Sequence, residues 1–438
     1  MDVFNRRNFL GATAVATAGL RRHPGQAAVS RSMEPANGPV IPVHCRPGQD
    51  ATDPIQKVLD RLGAVGGGIA QLSAGEFTVG GNLRVPQGVA LCGVARGPTS
   101  RAATGFPGDH QAGSVRHGTV LRAIGGRGKQ DGPPLISLAT DSAVTGLAVW
   151  YPQQRVSGAL LEYPWTLKLN GENVTVQNVE LLNSWMGINA IAAHRHLIRN
   201  VTGQPLRIGI YVDEIYDIGR IEDVHFNPWW SQSRAVLEFV YRHGESFVFG
   251  RSDWEYVFNT FSFGYKIGYR FIEGKTGACN GNFLGIGADG SMHAVRVEQS
   301  QAPGLLITNG EFVSFDYLKL GKVTPVQVVI LPQNHGPVRF ANCSFWGPSD
   351  GIARLAGNGT VGFNACTMVQ WNPRLAALES DGERLIVSSC EFQQPGVQVR
   401  LGTKLRQAVI TGNIFNGKSR VENFSKGAVE IGLNIATG

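Results

Sequence analysis

The sequence predicts an all-β protein of the parallel β-helix type, and repeated segments near its C-terminal end indicate this fold. Four of these segments read FANCSFWG, FNACTMVQ, VSSCEFQQ and ITGNIFNG. Aligned with one another, they place small side chains in one column: Cys343, Cys366, Cys390 and Asn413. A second column holds larger apolar side chains that are 23, 24 and 23 residues apart: Phe345, Met368, Phe392 and Phe415. Such a fixed period is typical of one coil of a parallel β-helix.

The two columns are two residues apart along each strand, so both should face the interior of the coil. Six further pairs continue this frame toward the N-terminus: Gly310/Phe312, Phe283/Gly285, Phe261/Phe263, Val224/Phe226, Val201/Gly203 and Val179/Leu181. Their first members are 27, 22, 37, 23 and 22 residues apart. The longer steps predict loop insertions, and such loops commonly carry the function of a solenoid.

Residues 1–28 predict a twin-arginine signal peptide. Arg6-Arg7 is followed by Phe9-Leu10, a short apolar run over residues 11–20, and small residues at Ala27-Ala28. The run is too short to span a bilayer as a helix. We therefore expect export by the twin-arginine route to the periplasm or the cell exterior, with no membrane association after cleavage. Residues 29–48 are predicted to be a linker.

The composition favours a folded domain rich in turns and disfavours a nucleic-acid partner. The chain has 57 glycines, and 17% of its 438 residues are charged. Removing residues 1–28 would lower the formal net charge from +7 to about +4. That mild excess suits an anionic polymer, but no dense run of Lys and Arg or aromatic-basic motif is present.

Three of the six cysteines fall in the inward column. We interpret them as a ladder of small core side chains, since a buried free cysteine behaves as a small apolar residue. Neighbouring coils lie about 4.8 Å apart, so a disulfide between them is geometrically permitted. No CxxC pair or Cys/His cluster has the spacing of a zinc site, so we expect no metal bound by cysteine and predict no metal-ligating residues.

The segment from residue 49 to 93 predicts a helix followed by short strands. Asp53-Pro54 should cap and begin the helix, and Gly66-Gly67-Gly68 should end it. The apolar face of the helix is Ile55, Val58, Leu59 and Leu62. Strands are predicted at Ile69–Leu72, Phe77–Val79, Leu83–Val85 and Val89–Leu91.

This segment, with its turn Ser73-Ala74-Gly75-Glu76-Phe77, closely resembles the opening of pectate-lyase-superfamily proteins, the pectin-lyase-like and polygalacturonase-related group. The resemblance implies a single-stranded right-handed parallel β-helix over residues 49–438, with an N-terminal capping helix and first coils at 49–93. A cap is physically needed because an open coil end exposes unpaired backbone groups. The resemblance also implies a glycan substrate.

Two long loop insertions are expected, at residues 96–134 and 240–258. The first is rich in Gly, Arg and His and reads as a lid or as a groove wall. Closing one end of a groove in this way would favour action at chain ends.

Aromatic side chains gather around the centre of the sequence, where they suit a sugar ligand because sugars stack their C–H faces on rings. We predict substrate-binding roles for seven aromatic and cationic residues: Trp165, Tyr211, Arg220, Trp229, Trp230, Trp254 and Arg270. An alternative for some of the rings is that they cover the apolar side of an insertion.

Carboxylates recur at similar distances before the inward pairs and predict a column of acids on one face. The favoured acid/base pair comes from Asp213, Glu273 and Asp253, with Glu298 and Glu238 in reserve. Neighbouring carboxylates drive their pKa values apart, as paired acid/base catalysis requires. The alternative is that these acids are solvated turn residues or ion-pair partners of nearby arginines.

His225 lies between the inward residues Val224 and Phe226 and should therefore project outward. Near acids and aromatic rings it would serve as a general acid/base or as a ligand of a sugar hydroxyl. A plain surface histidine is the alternative. His194 and His196 are weaker candidates.

The polygalacturonase motifs Asn-Thr-Asp, Asp-Asp, Gly-His-Gly and Arg-Ile-Lys are absent, and no tight Asp cluster like that of calcium-dependent pectate lyases is present. No catalytic residue is therefore carried over from the family.

Three functions remain open. The first is a secreted glycoside hydrolase with paired carboxylates that needs no cofactor. The second is a polysaccharide lyase or epimerase acting on a uronate glycan, with Ca²⁺ possible. The third is a non-catalytic glycan-binding β-helix. Each implies a polysaccharide or oligosaccharide partner. We expect the chain to be a monomer or a homotrimer.

Overall fold

A computed structural model describes residues 38–46, 48–94, 118–321 and 323–437. Over these residues the chain forms the expected single-stranded right-handed parallel β-helix. The predicted signal peptide lies outside the described residues, as do residues 96–117 of the first predicted insertion. None of the helices in the described part of the chain is long and apolar enough to span a membrane.

Each regular coil has three strand positions, which stack into three faces. Faces 1 and 2 meet at a tight corner and form a 25-stranded parallel sheet among the described residues, and face 3 forms a 13-stranded sheet. The strands of face 3 are Leu83–Val85, Ile136–Leu138, Trp165–Leu169, Met186–Ile191, Ile208–Asp213, Glu245–Phe249, Ile267–Phe271, His293–Val297, Val326–Ile330, Gly351–Leu355, Ala376–Ser380, Val397–Leu401 and Val421–Asn423.

Face 1 contains fifteen strands of the described chain, four of which continue through the corner into face 2. Those four are Ala143–Trp150, Thr175–Leu181, Leu197–Gly203 and Arg220–Phe226. The others are Val40–Pro42, Gly68–Gln71, Val89–Cys92, Ser252–Phe258, Cys279–Leu284, Ser300–Thr308, Val338–Ala341, Thr360–Asn364, Arg384–Ser388, Gln407–Thr411 and Ala428–Gly432. The separate strands of face 2 are Gly75–Val79, Thr119–Ala123, Phe261–Phe263, Gly287–Ser291, Glu311–Ser314, Ser344–Trp346, Thr367–Met368, Glu391–Phe392, Ile414–Phe415 and Ile435–Ala436.

The corner between faces 1 and 2 is made by one residue per coil in the left-handed backbone region. Asparagine tolerates this conformation better than most residues, and it recurs at the corner with φ of 50° to 55°: Asn178, Asn200, Asn259, Asn309 and Asn342. The amides also connect neighbouring coils. Asn200 donates to Asn178 at 2.6 Å, and Asn342 donates to Asn309 at 2.8 Å.

The C-terminal columns predicted from the sequence are confirmed. Strand register stacks Phe345, Met368, Phe392 and Phe415 in consecutive coils. All four side chains are buried. The three cysteines of the neighbouring column are also buried, and they are free thiols in the described structure. The core of the solenoid is therefore a set of parallel side-chain columns along its axis.

The predicted frame is wrong at two central coils. Strand register continues the Phe345 column backward through Phe312, Ala288, Ser262 and Phe226. Phe283 instead lies in a face 1 column with Ile307. Phe261 and Phe263 are one position out of phase and face outward. Side chains alternate with a period of two, so a shift of one residue after an insertion reverses every side chain.

The capping helix spans Thr52–Ala64 and buries Ile55, Leu59 and Leu62, as predicted. Its N-terminus differs from the prediction, because Ala51 is the N-cap residue and provides no side-chain cap. Asp50 binds this end instead, accepting a hydrogen bond of 2.8 Å from the Thr52 backbone N–H.

Both insertion boundaries also differ from the prediction. Within 96–134, Thr119–Ala123 is a regular face 2 strand paired with Gly75–Val79. Within 240–258, Glu245–Phe249 and Ser252–Phe258 are regular strands, and the inserted element is a helix at Arg234–His243. Residues 245–249 are all buried, so the strand lacks the alternation that would have identified it. The predicted linker likewise contains a face 1 strand, Val40–Pro42.

Three insertions contact one another along the junction of faces 2 and 3. In the helical insertion, the Ser233 hydroxyl donates to the Val156 carbonyl. The Arg234 guanidinium donates to the Leu318 carbonyl at 2.8 Å, and the Tyr241 hydroxyl donates to the Phe315 carbonyl at 3.1 Å. These bonds join the loops of three different coils into one wall beside face 3.

The corner geometry predicts opposite effects for two alanine-to-glycine changes. Ala365 has φ of 52° at the corner, whereas Ala341 lies in an extended strand. We expect Ala365→Gly to raise the free energy of unfolding by about 1 kcal/mol, because glycine relieves the left-handed strain. Ala341→Gly should lower it by about 0.5–1 kcal/mol. Urea denaturation of both variants tests this, and equal losses in the two would contradict the proposed corner strain.

Candidate functional site

The outward side of face 3 carries a column of polar side chains across consecutive coils. In the strand Ile208–Asp213, Ile210 and Val212 point into the core, so Tyr211 and Asp213 project outward. Strand register extends the Tyr211 position in both directions: Lys168, Asn189, Tyr211, Val248, Arg270 and Arg296. Successive members are about 4.8 Å apart. Three cations and a phenol therefore lie in one line along the solenoid.

Asp213 is a fixed acceptor within this surface. One carboxylate oxygen accepts from the Tyr211 hydroxyl at 3.0 Å. The other accepts from the backbone N–H groups of Glu214 at 2.8 Å and Arg251 at 2.6 Å. Gly250 packs so closely against the carboxylate that a Cβ atom there would clash with it. These contacts position the phenol of Tyr211 and anchor the turn that follows it.

Tyr211 is held in its protonated form. Burial raises its pKa well above the ordinary value, and the Asp213 charge and hydrogen bond raise it further, while Arg270 acts weakly in the opposite direction. The Trp165 ring lies 6.2 Å from the Tyr211 ring. The phenol is thus a proton donor beside an aromatic surface.

Arg270 lies between two carboxylates. It donates to Glu245 at 3.0 Å and to Glu298 at 2.9 Å. Burial lowers the pKa of Arg270, but the two carboxylates outweigh this effect and raise it. Arg296 also approaches Glu298, at 3.4 Å. The cation is rigidly placed, and both acids are engaged as its acceptors.

Five residues predicted from the sequence come together on face 3: Trp165, Tyr211, Asp213, Arg270 and Glu298. Lys168, Asn189, Glu245 and Arg296 were missed. Their shared signal, an outward position on consecutive coils, becomes visible only once the register is known.

The predicted acids do not all lie in one column, although Glu273 is two coils from Asp213 and the next residue, Gly274, packs against the Asp213 carboxylate. Asp213 and Glu298 are three coils apart, about 14 Å along the stack, which exceeds the carboxylate separation of glycosidases. Glu273 is exposed in the turn after its strand. Asp253 lies on face 1, paired with Arg251 at 3.0 Å. Glu238 lies on the inserted helix, 2.9 Å from Arg242. The slipped frame at the central coils explains this misalignment.

Five other predicted site residues lie on faces 1 and 2 and in the helical insertion. Arg220 and Trp254 are exposed on face 1. Trp230 is buried and so unable to stack on a sugar. His225 is on face 2, where the Trp229 ring is tilted against it with 4.6 Å between ring centroids. None of these five residues belongs to the face 3 column.

His196 is structural. Its ring is fully buried, with Nδ1 2.9 Å from the Ala193 carbonyl and Nε2 3.2 Å from Glu255. Burial lowers its pKa, but the Glu255 charge and hydrogen bond outweigh burial and raise it. No cluster of three or more His, Cys, Asp or Glu side chains suited to a metal occurs in the described parts of the chain.

No family model matches the chain, and no curated protein is significantly similar to it in sequence. Several solved structures resemble it over most of its length, among them the following three. The A-module of a mannuronan C-5 epimerase from Azotobacter vinelandii has a TM-score of 0.42 and 12% identity, covering 89% of this chain and 96% of that one. A tailspike protein from Acinetobacter baumannii bacteriophage Fri1, a capsular polysaccharide depolymerase, has a TM-score of 0.44 and 14% identity, covering 82% of this chain and 64% of that one. DFA-IIIase from Arthrobacter chlorophenolicus has a TM-score of 0.43 and 10% identity, covering 92% of this chain and 94% of that one.

The fold expected from the resemblance to pectate-lyase-like proteins is confirmed. All three TM-scores lie below 0.5, so the activity of the protein must be inferred from its own residues.

Removing the Asp213 carboxylate should destabilise the protein. In Asp213→Ala, the Tyr211 hydroxyl and two backbone N–H groups lose their acceptor, which should cost about 3 kcal/mol. Asp217→Ala is the matched control, because Asp217 forms a solvent-screened ion pair with Arg195 that should contribute little to stability. Urea midpoints compare the two variants. Equal losses would show that Asp213 is not an anchor.

The His196–Glu255 pair predicts a pH-dependent stability. Because folding raises the pKa of His196 above its unfolded value of about 6.5, its contribution is complete below that pH and is lost as pH rises through the folded pKa. The free energy of unfolding lost in His196→Gln should therefore be larger at pH 6 than at pH 9. Glu255→Gln should abolish the same pH dependence. A loss that grows toward pH 9 would contradict this.

Proposed function

We propose that the protein is a carbohydrate-active enzyme that acts on an acidic, uronate-containing glycan along face 3, by a lyase or epimerase reaction. The observation that carries this proposal is the protonated Tyr211, held by Asp213 in a line with Lys168, Arg270 and Arg296. An open face with a repeat of about 4.8 Å suits a polymer that lies along the stack.

The chemistry of a uronate matches this set of groups. Its C5 proton is acidified by the adjacent carboxylate once a cation neutralises the charge that develops there. Arg270, Arg296 and Lys168 supply cations along the column. The Tyr211 oxygen would take the C5 proton as its own proton passes to Asp213, and the pair would return a proton to the departing O4. For epimerisation, a proton must instead return to C5 from the opposite side.

Hydrolysis by two carboxylates is the second candidate function. It is favoured by one observation: Glu245 and Glu298 bind the same guanidinium from opposite sides. Hydrolysis, however, requires one protonated carboxyl beside the glycosidic oxygen. Both acids instead act as acceptors for Arg270, which weakens this candidate relative to the first.

The described residues suit a bound Ca²⁺ poorly. Ca²⁺ takes six to eight oxygen ligands, and the described residues contain no carboxylate cluster that would supply them. Export by the twin-arginine route stays a prediction.

A polysaccharide panel tests the reaction class. The purified chain is incubated with acidic and neutral polymers, with and without EDTA, and both reducing ends and the ultraviolet absorbance of unsaturated uronides are recorded. We expect absorbance to grow with an acidic polymer and to persist in EDTA. C5 inversion seen by NMR without new ends would identify the epimerase form. Reducing ends without absorbance would overturn the proposal in favour of hydrolysis. Neither signal with any polymer would favour a binding protein.

The roles of Tyr211 and Arg270 predict large losses of activity. Tyr211→Phe should lower kcat/KM by about 10² or more, because it removes the hydroxyl group through which the proton is transferred. Tyr241→Phe is the control, since Tyr241 also donates one buried hydrogen bond but lies in the insertion wall. Arg270→Lys should lower kcat/KM at least about tenfold, because lysine does not reproduce a planar guanidinium held by two carboxylates. Arg354→Lys, further along the same column and paired with Glu379, is its control. Full activity of Tyr211→Phe would exclude the proposed proton transfer.

A further inference from the structure

A second groove lies at the corner of faces 1 and 2, away from the face 3 column. Its volume is about 560 Å³, within the range of small-ligand sites. Its lining includes the corner positions of four consecutive coils: Asn178, Asn200, Asp223 and Asn259. Three coil steps give it a length of about 14 Å along the solenoid axis.

One wall of this groove is a row of side-chain amides. Asn200 donates to Asn178 at 2.6 Å, and Asn259 donates to Asp223 at 2.7 Å. Gln177 adds a further amide to the lining. Each amide has two donor hydrogens and an acceptor oxygen with two lone pairs, so a single bond between coils leaves most of this capacity for a ligand. Neighbouring hydroxyl groups, which both donate and accept, match such a wall.

The opposite side of the groove is formed by rings on face 2. Register places His225 next to Phe261 on the following coil, with 5.0 Å between ring centroids. Burial lowers the pKa of His225, so the imidazole is uncharged at neutral pH. Its Nε2 atom is buried and has no hydrogen-bond partner in the described structure. The two rings meet edge to face, and this weakly polar aromatic wall suits the C–H face of a sugar ring.

The charges in the groove are balanced. Arg199 lies 3.6 Å from Glu222 and 3.8 Å from Asp223. The lining therefore offers no cation free of a carboxylate neighbour, and an acidic sugar would meet repulsion from Asp223. The geometry points to a neutral, hydroxyl-rich saccharide as the occupant. We propose that this groove is a second carbohydrate-binding site, independent of the proposed reaction on face 3.

Calorimetric titration with neutral trisaccharides of different sugars, and with a uronic trisaccharide, tests this site. We expect a neutral trisaccharide to bind and Asn200→Ala to weaken its binding by about tenfold or more. Asn342→Ala is a matched control, because Asn342 has the same corner conformation and bonds to Asn309 in the same way, outside the groove. Phe261→Ala should also weaken binding, through loss of the ring wall.

Measuring the affinity for the neutral trisaccharide tests the groove independently of the proposed activity on face 3. Tyr211→Phe should leave the affinity for the neutral trisaccharide unchanged, whether or not the protein proves to be a lyase. A loss of binding in Tyr211→Phe would place the ligand on face 3 and overturn the inference. Three other results would also overturn it: equal losses in Asn200→Ala and Asn342→Ala, tighter binding of the uronic trisaccharide through Asn200, or no binding of any neutral trisaccharide.

Discussion

The parallel hydrogen-bonded ladder between coils is the constraint on which the rest of this structure depends. It fixes the spacing of equivalent residues at about 4.8 Å and keeps them in register over the length of the solenoid. Inward positions become core columns such as that of Phe345, and outward positions become functional surfaces such as that of Tyr211. The left-handed corner residues maintain the phase between faces 1 and 2, so both kinds of column persist through the coils.

The face 3 surface illustrates how acids can organise a site as well as take part in its chemistry. Asp213 orients a phenol and anchors a turn, while Glu245 and Glu298 fix the guanidinium of Arg270. A carboxylate surrounded by donors is a good positioning group, because it holds several partners in one geometry. The groups left to face a substrate are then the phenol and the cations. Two nearby carboxylates in a sequence need not form a hydrolytic pair.

One solenoid can present surfaces of opposite chemistry because the faces share only their interior. Face 3 gathers cations around Tyr211, whereas the corner groove combines amides with the neutral ring of His225. Changing an outward residue leaves the core columns untouched, so each face is free to acquire its own ligand preference. The wall of insertions at the junction of faces 2 and 3 adds a boundary beside the face 3 surface.

The sequence by itself determined the repeating coil, the capping helix with its buried Ile55 and Leu59, and the column through Phe345. These features depend on local periodicity, which a short segment already contains. Tertiary structure alone decided which residues meet across coils. Arg270 finds Glu245 and Glu298, which are 25 and 28 residues away, and His225 falls on a different face from Tyr211. The insertion around Arg234–His243 interrupts the sequence period between Phe226 and Ser262, which the structure stacks in one column. Since one residue of slip exchanges inside and outside, the candidate site could be predicted only in part.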